Sequence, residues 1–106
     1  MKFAFRDLGR QEEGSTVVVR LRGSAANVIL LDAKNFAHYR AGAPFIYDAG
    51  GCFRSSPVRL QVPRTDHWYV VVDLAGFRGR VRASVEVIPK DADAPAQSNE
   101  PLVQQS

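Results

Sequence analysis

With a single cysteine, Cys52, the chain can form no internal disulfide and no cysteine-built metal cluster. That scarcity suits a reducing compartment, and a cytoplasmic location is the expectation. Long apolar runs are missing too. The longest uncharged stretch, Gly23 to Leu31, is far too short to cross a membrane. The opening MKFAFRDLG carries Lys2, Arg6 and Asp7, so it lacks the apolar centre of a signal peptide. No membrane partner is expected. Histidine is confined to His38 and His67, and no HxH, HExxH or calcium-loop spacing occurs, so no metal or other cofactor is expected either.

What is present suits one small core. A chain of 106 residues that is 45% hydrophobic is long enough for one domain and too short for two. The net charge of +3 is unevenly spread. Residues 1–90 hold all 14 lysines and arginines against 8 acids, whereas the segment from Asp91 to Ser106 holds Asp91, Asp93 and Glu100 with no base. The cations are mostly arginine, whose planar fork suits anionic partners, although a biased genomic base composition produces the same preference.

Apolar residues recur with period two. From Thr16 to Arg22, Val17, Val19 and Leu21 alternate with Thr16, Val18, Arg20 and Arg22, the pattern of a strand with one buried face. Pro57 to Pro63 places Val58, Leu60 and Val62 inside and Arg59 and Gln61 outside, and its prolines fit strand ends or an edge. His67 to Leu74 is apolar on nearly both faces. Gly79 to Ile88 buries Val81, Ala83, Val85 and Val87 and exposes Arg80, Arg82, Ser84 and Glu86. The short turn from Ala75 to Gly79 predicts that these last two strands form a hairpin. Three further strands are expected around Phe3 and Phe5, over Asn27 to Leu31, and over Pro44 to Asp48.

One helix is expected, from Asp32 to Gly42. Asp32 can cap its first amides, Gly42 can adopt the left-handed conformation that ends it, and Phe36 and Tyr39 share the face that must pack on the sheet. After Pro89 the composition turns to Ala, Pro, Gln, Ser and acids. The expected organisation is one domain over residues 1–89 and a disordered acidic tail over 90–106. Seven strands and one helical insertion predict an all-β fold: an antiparallel β-sandwich, jelly-roll-like, with an open barrel as the alternative.

Chemistry is harder to place. Cys52, Ser55 and Ser56 are the available nucleophiles and His38 and His67 the available bases, but no spacing pairs a nucleophile with an oriented base. A lone cysteine is more often a small buried hydrophobe. Asp32, Asp48, Asp66 and Asp73 are scattered, and aspartate commonly serves caps and turns. Gly50-Gly51 and Gly76-Phe77-Arg78-Gly79 are turn glycines without the following helix that a phosphate-cradling loop requires. No catalytic residues and no enzymatic activity are assigned.

Several phrases together carry a resemblance. They are the opening MKF…DLG, Ala25-Ala26-Asn27-Val28 running into Leu31-Asp32, and Asn35-Phe36 with Tyr39. Next come Arg54-Ser55-Ser56-Pro57-Val58, the run from His67 to Leu74, and Val81-Arg82-Ala83-Ser84-Val85. The chain resembles a small bacterial domain-of-unknown-function family (catalogued as number 1883) over about residues 1–88. The resemblance implies a compact β domain that stands alone or is attached to other modules, in some cases a Toll/interleukin-receptor-type domain. It carries over no catalytic residue, and such a distribution suits a recognition or sensor unit better than an enzyme.

Two function classes follow. The first is a non-enzymatic module that binds a ligand or protein partner through its helix and loops, with Asn35, His38, Tyr39, Arg40, Tyr47, Arg54 and His67 as candidate contacts. The second is nucleic-acid binding by an arginine-rich sheet face of Arg20, Arg22, Arg59, Arg80 and Arg82, with Arg64 and Arg78 at strand ends and Tyr39, Tyr47 or Phe77 available to stack on bases. Outward arginines also make the ordinary solvated face of a sheet. The expected state is a monomer or homodimer, because Tyr69 and Val71 form an apolar face that either the helix or another copy of the chain could cover.

Overall fold

The computed structural model describes residues 3–74 and 79–90. Its elements are β1 (Phe3–Gln11), β2 (Thr16–Gly23), β3 (Ala26–Asp32), α1 (Ala33–Ala41), β4 (Ala49–Phe53), β5 (Val58–Gln61), β6 (Asp66–Asp73) and β7 (Val81–Ile88). The strands form two antiparallel sheets. One has four strands in the order β1-β6-β3-β4, and the other has three in the order β5-β2-β7. The chain is mainly β with one short helix, and the two sheets make a sandwich. The expected tail beyond Lys90 and the turn at 75–78 lie outside the described residues.

The period-two faces meet between the sheets. Val17 and Val19 of β2, with Val58, Leu60 and Val62 of the β5 segment, pack against Val28 and Leu30 of β3 and Trp68, Val70 and Val72 of β6. Burying each such side chain contributes about 1.5–3 kcal/mol, so this layer drives folding. The opposite face of the four-stranded sheet is apolar as well. Ile29, Leu31 and Val71 there receive Phe36 and Tyr39 of α1, and Phe36 stacks on Tyr69 with ring centroids 4.0 Å apart. The helix therefore covers the second apolar face of β6.

The helix ends where its caps direct. Asp32 accepts the Asn35 N–H at 2.8 Å, and Gly42 sits at φ 73°, where its N–H reaches the last helical carbonyls. The hydroxyl of Tyr39 then donates to Oδ2 of buried Asp73 at 2.5 Å, fixing the helix to β6.

Four local expectations are corrected. Pro44 to Asp48 is not a strand, because it must return from the helix end to the sheet. Phe45 packs edge-on against Tyr39 at 5.1 Å, and the Ile46 N–H donates to Asn35 Oδ1 at 2.9 Å instead of to a ladder. The neighbouring strand is Ala49–Phe53, so Gly50-Gly51-Cys52 is an edge strand and not a turn. A Cβ on Gly50 would run into the Val28 carbonyl oxygen, so close approach to β3 requires glycine there. β6 and β7 do not form a hairpin. β6 is apolar on both faces and has both edges filled by β1 and β3, so β7 crosses to the other sheet and pairs along all of β2. Finally, Ala83 is exposed and Val18 fully buried, the reverse of the alternation. Ala83 lies on an edge strand, whereas Val18 is central and flanked in register by Arg59 and Glu86.

Candidate anion-binding face

β2, β5 and β7 direct a second set of side chains outward. In register, Arg22 lies directly opposite Arg82, Arg20 opposite Ser84, and Val18 between Arg59 and Glu86. Glu86 is the only acid that these three strands direct outward. It pairs with Arg20 at 2.6 Å, with both side chains about half exposed. Like charges placed directly opposite on a sheet repel. Among the described residues, neither Arg22 nor Arg82 has an ion pair to offset that repulsion.

The face is not flat. β5 pairs only with Thr16–Val19, so the second half of β2 has no strand on that side. The connection before β5 turns back there, and the Leu21 N–H donates to Ser56 Oγ at 2.9 Å. The result is a concavity of about 450 Å³ walled by Arg20, Arg22, Arg82, Ser56 and Ser84. Arg80 precedes β7 and is exposed beside this end of the face.

The loop candidates are dispersed. Asn35 and His38 share an open concavity of about 430 Å³ with Lys34, bordered by Phe45 and Ile46. The Asn35 side chain is already engaged, donating to Asp32 at 3.0 Å and accepting from Ile46. Tyr39 is buried, and its hydroxyl lies well above its ordinary pKa because burial disfavours the phenolate and Asp73 accepts its proton. Arg40 lies over the rings of Phe36 and Phe5, at 5.6 and 5.9 Å. Tyr47 is exposed beyond the helix, and Arg54 is exposed in the β4–β5 connection. His67 meets Asp7 at 2.6 Å and stacks on Tyr69. The Gly9 N–H, and then His67, hold the Asp7 carboxyl below its usual range.

The family profile described as a domain of unknown function (DUF1883) matches residues 1–91, most of the chain and all of its described elements. The chain belongs to that family. Comparison with curated proteins and with solved structures gave no match.

One cluster in this DUF1883 chain was not legible from spacing. Arg64 gathers Asp32 at 2.6 Å, Asp48 at 3.3 Å and Asp66 at 3.6 Å, while its guanidinium lies 4.9 Å from the Trp68 ring centroid. Burial opposes the charge, but the three carboxylates, Asp48 foremost, raise the guanidinium's pKa further. The scattered aspartates therefore converge on a cation supplied by the chain itself. Among the described residues, no group of three or more His, Cys, Asp or Glu is arranged to hold a metal ion. Arg64 is consumed by this clasp, whereas Arg22 and Arg82 are not. Residue order placed Arg22 and Arg82 at outward strand positions and Arg64 at a strand end, but no spacing signalled the three carboxylates.

Proposed function

We propose that this DUF1883 chain is a non-enzymatic recognition module that takes an anionic partner, duplex nucleic acid foremost, on the outer face of β5-β2-β7. The observation that carries this reading is the Arg22–Arg82 juxtaposition, extended by Arg20 and Arg59 on a face with a single acid. Arginine forks bind phosphate oxygens bidentately, and a row of them tracks a backbone without reading bases. The aromatic residues favour a duplex over a single strand. Phe36, Tyr39 and Tyr69 are grouped on the helix side of the other sheet, and although Phe3 shares a concavity with Arg80 and Arg82, among the described residues the concavity walled by Arg20, Arg22 and Arg82 has no aromatic ring for base stacking. Phe77 lies outside the described residues.

The test is fluorescence anisotropy of labelled duplex DNA at several salt concentrations. Affinity should fall linearly on a log–log plot against salt, and replacing Arg20, Arg22, Arg80 and Arg82 together by alanine should flatten the slope by about 1 per lost phosphate contact. An unchanged slope would defeat the proposal. A second reading places a small ligand or protein partner at the concavity of Asn35 and His38, supported by its volume and by the exposed Ile46 at its rim. Loss of a co-purifying partner on His38→Ala, with duplex binding intact, would favour it. A cytoplasmic setting suits either reading, given the exposed thiol of Cys52.

A further inference from the structure

We infer that the concavity at the Ser56 corner is a subsite for one phosphate monoester, such as a terminal phosphate on the partner. The inference rests on the anion-binding reading above and names a chemistry within it. Three features separate this corner from the rest of the arginine face. The first is paired forks: Arg22 and Arg82 are directly opposite across the β2–β7 ladder and line the same concavity. Arg59, by contrast, stands beside Val18 with no second arginine opposite.

The second feature is an open recess beside the end of β5. β5 stops at Val58 while β2 continues to Gly23, and the returning connection adds a wall on the open side. A volume of about 450 Å³ falls within the roughly 300–1,000 Å³ usual for small-molecule sites. The third is neutral donors. Ser56 Oγ accepts the Leu21 N–H and keeps its own O–H to donate, and Ser84 projects from the position opposite Arg20. A dianionic monoester offers three terminal oxygens for this set of forks and hydroxyls, whereas a diester in a continuous backbone offers two.

Glu86 tunes the subsite. Its carboxylate holds Arg20 at 2.6 Å and thereby competes with an incoming phosphate for the third guanidinium. Removing that charge should tighten binding, an effect opposite in sign to what a purely structural salt bridge would give.

The experiment is an NMR titration of the full chain with inorganic phosphate, reading the arginine side-chain N–H resonances. It is joined by binding of one duplex prepared with either 5′-phosphate or 5′-hydroxyl ends. Phosphate should shift Arg22 and Arg82 saturably and leave Arg59 in place. Glu86→Gln should tighten phosphate binding several-fold, and the 5′-phosphorylated duplex should bind better than its hydroxyl-ended twin. Arg22→Lys with Arg82→Lys preserves charge but removes the forks, so it should keep duplex binding and lose the preference for the 5′-phosphate. If phosphate shifts the arginines but the two duplexes bind alike, the subsite stands and its source is a free phosphorylated small molecule. If neither Arg22 nor Arg82 responds while the duplex still binds with its salt dependence, the subsite is refuted and the anion-binding face survives. If nothing binds, both fail.

Discussion

Tyr39 shows how much one polar contact can fix. Its ring lies among Phe3, Phe36 and Phe45, and its hydroxyl reaches Asp73 on the central strand, where Asn27 also donates at 3.3 Å. Tyr39→Phe keeps the ring and removes the donor, which should cost about 1.5–3 kcal/mol, the usual range for a hydrogen bond to a carboxylate. Urea unfolding would measure it, with an unchanged slope if the folded state stays compact. Titration adds a second readout. Because the folded protein holds the Tyr39 proton more tightly than the unfolded chain, whose tyrosine ionises near 10.0, this contribution is complete below that pH and declines as pH rises above it. The alkaline loss of stability should be smaller in Tyr39→Phe. Asp7 has the opposite sign. Its lowered pKa supports the fold above the ordinary carboxylate range and stops doing so as the pH falls through the lowered value, which a carboxyl-carbon NMR titration would follow.

At the scale of elements, the edges of the four-stranded sheet are where local sequence and tertiary demand disagree. β4 reads as a glycine-rich turn, yet Ala49–Phe53 pairs with β3, and at Gly50 the approach is so close that a Cβ would meet the Val28 carbonyl oxygen. Gly50→Ala should therefore lose about 1–3 kcal/mol from backbone strain alone, since Gly50 sits at φ 132°. Hydrogen exchange should accelerate in β4 and remain slow in β6. If both strands accelerate together, β4 is part of the cooperative core and not a separable edge. The Arg64 clasp joins the helix cap, the β4 approach and the start of β6 through one guanidinium. That side chain is nearly half exposed, so Arg64→Ala should cost only about 1 kcal/mol. The loss should shrink in high salt, and a salt-independent loss would mean that contact with Trp68 dominates.

For the whole molecule, the two sheets divide the labour. The four-stranded sheet carries the helix and the aromatic cluster, and there Asp7, Asp32, Asp66 and Asp73 are matched in number by Arg6, Arg10, Lys34 and Arg40. The three-stranded sheet carries outward arginines and one acid. Such an asymmetric charge distribution should orient the protein on a polyanion. Heparin chromatography offers a simple comparison: Arg20→Ala with Arg22→Ala should elute at clearly lower salt, whereas Arg64→Ala, whose charge is already matched by three carboxylates, should elute almost unchanged. A shift for Arg64→Ala about half that of the double variant, in proportion to the charge removed, would show that net charge alone controls retention.

The strands β2, β5 and β7 were legible from a period of two, Val18 and Ala83 apart, because a strand with one buried face must alternate. So were the caps of α1, since Asp32 and Gly42 act within a few residues of themselves. That both faces of β6 would be covered also followed from its apolar character. The partners were not legible. The pairing of β7 with β2 rather than β6, and the use of a double glycine as an edge strand, depend on which edges remain free once the long-range sheet has formed. The outward arginines were legible as a candidate face from the same alternation, but which of them become neighbours was not. Arg22 and Arg82 are 60 positions apart in the chain and become neighbours only through β2–β7 register, while Arg64 is withdrawn from the same inventory by three aspartates gathered from three separate segments.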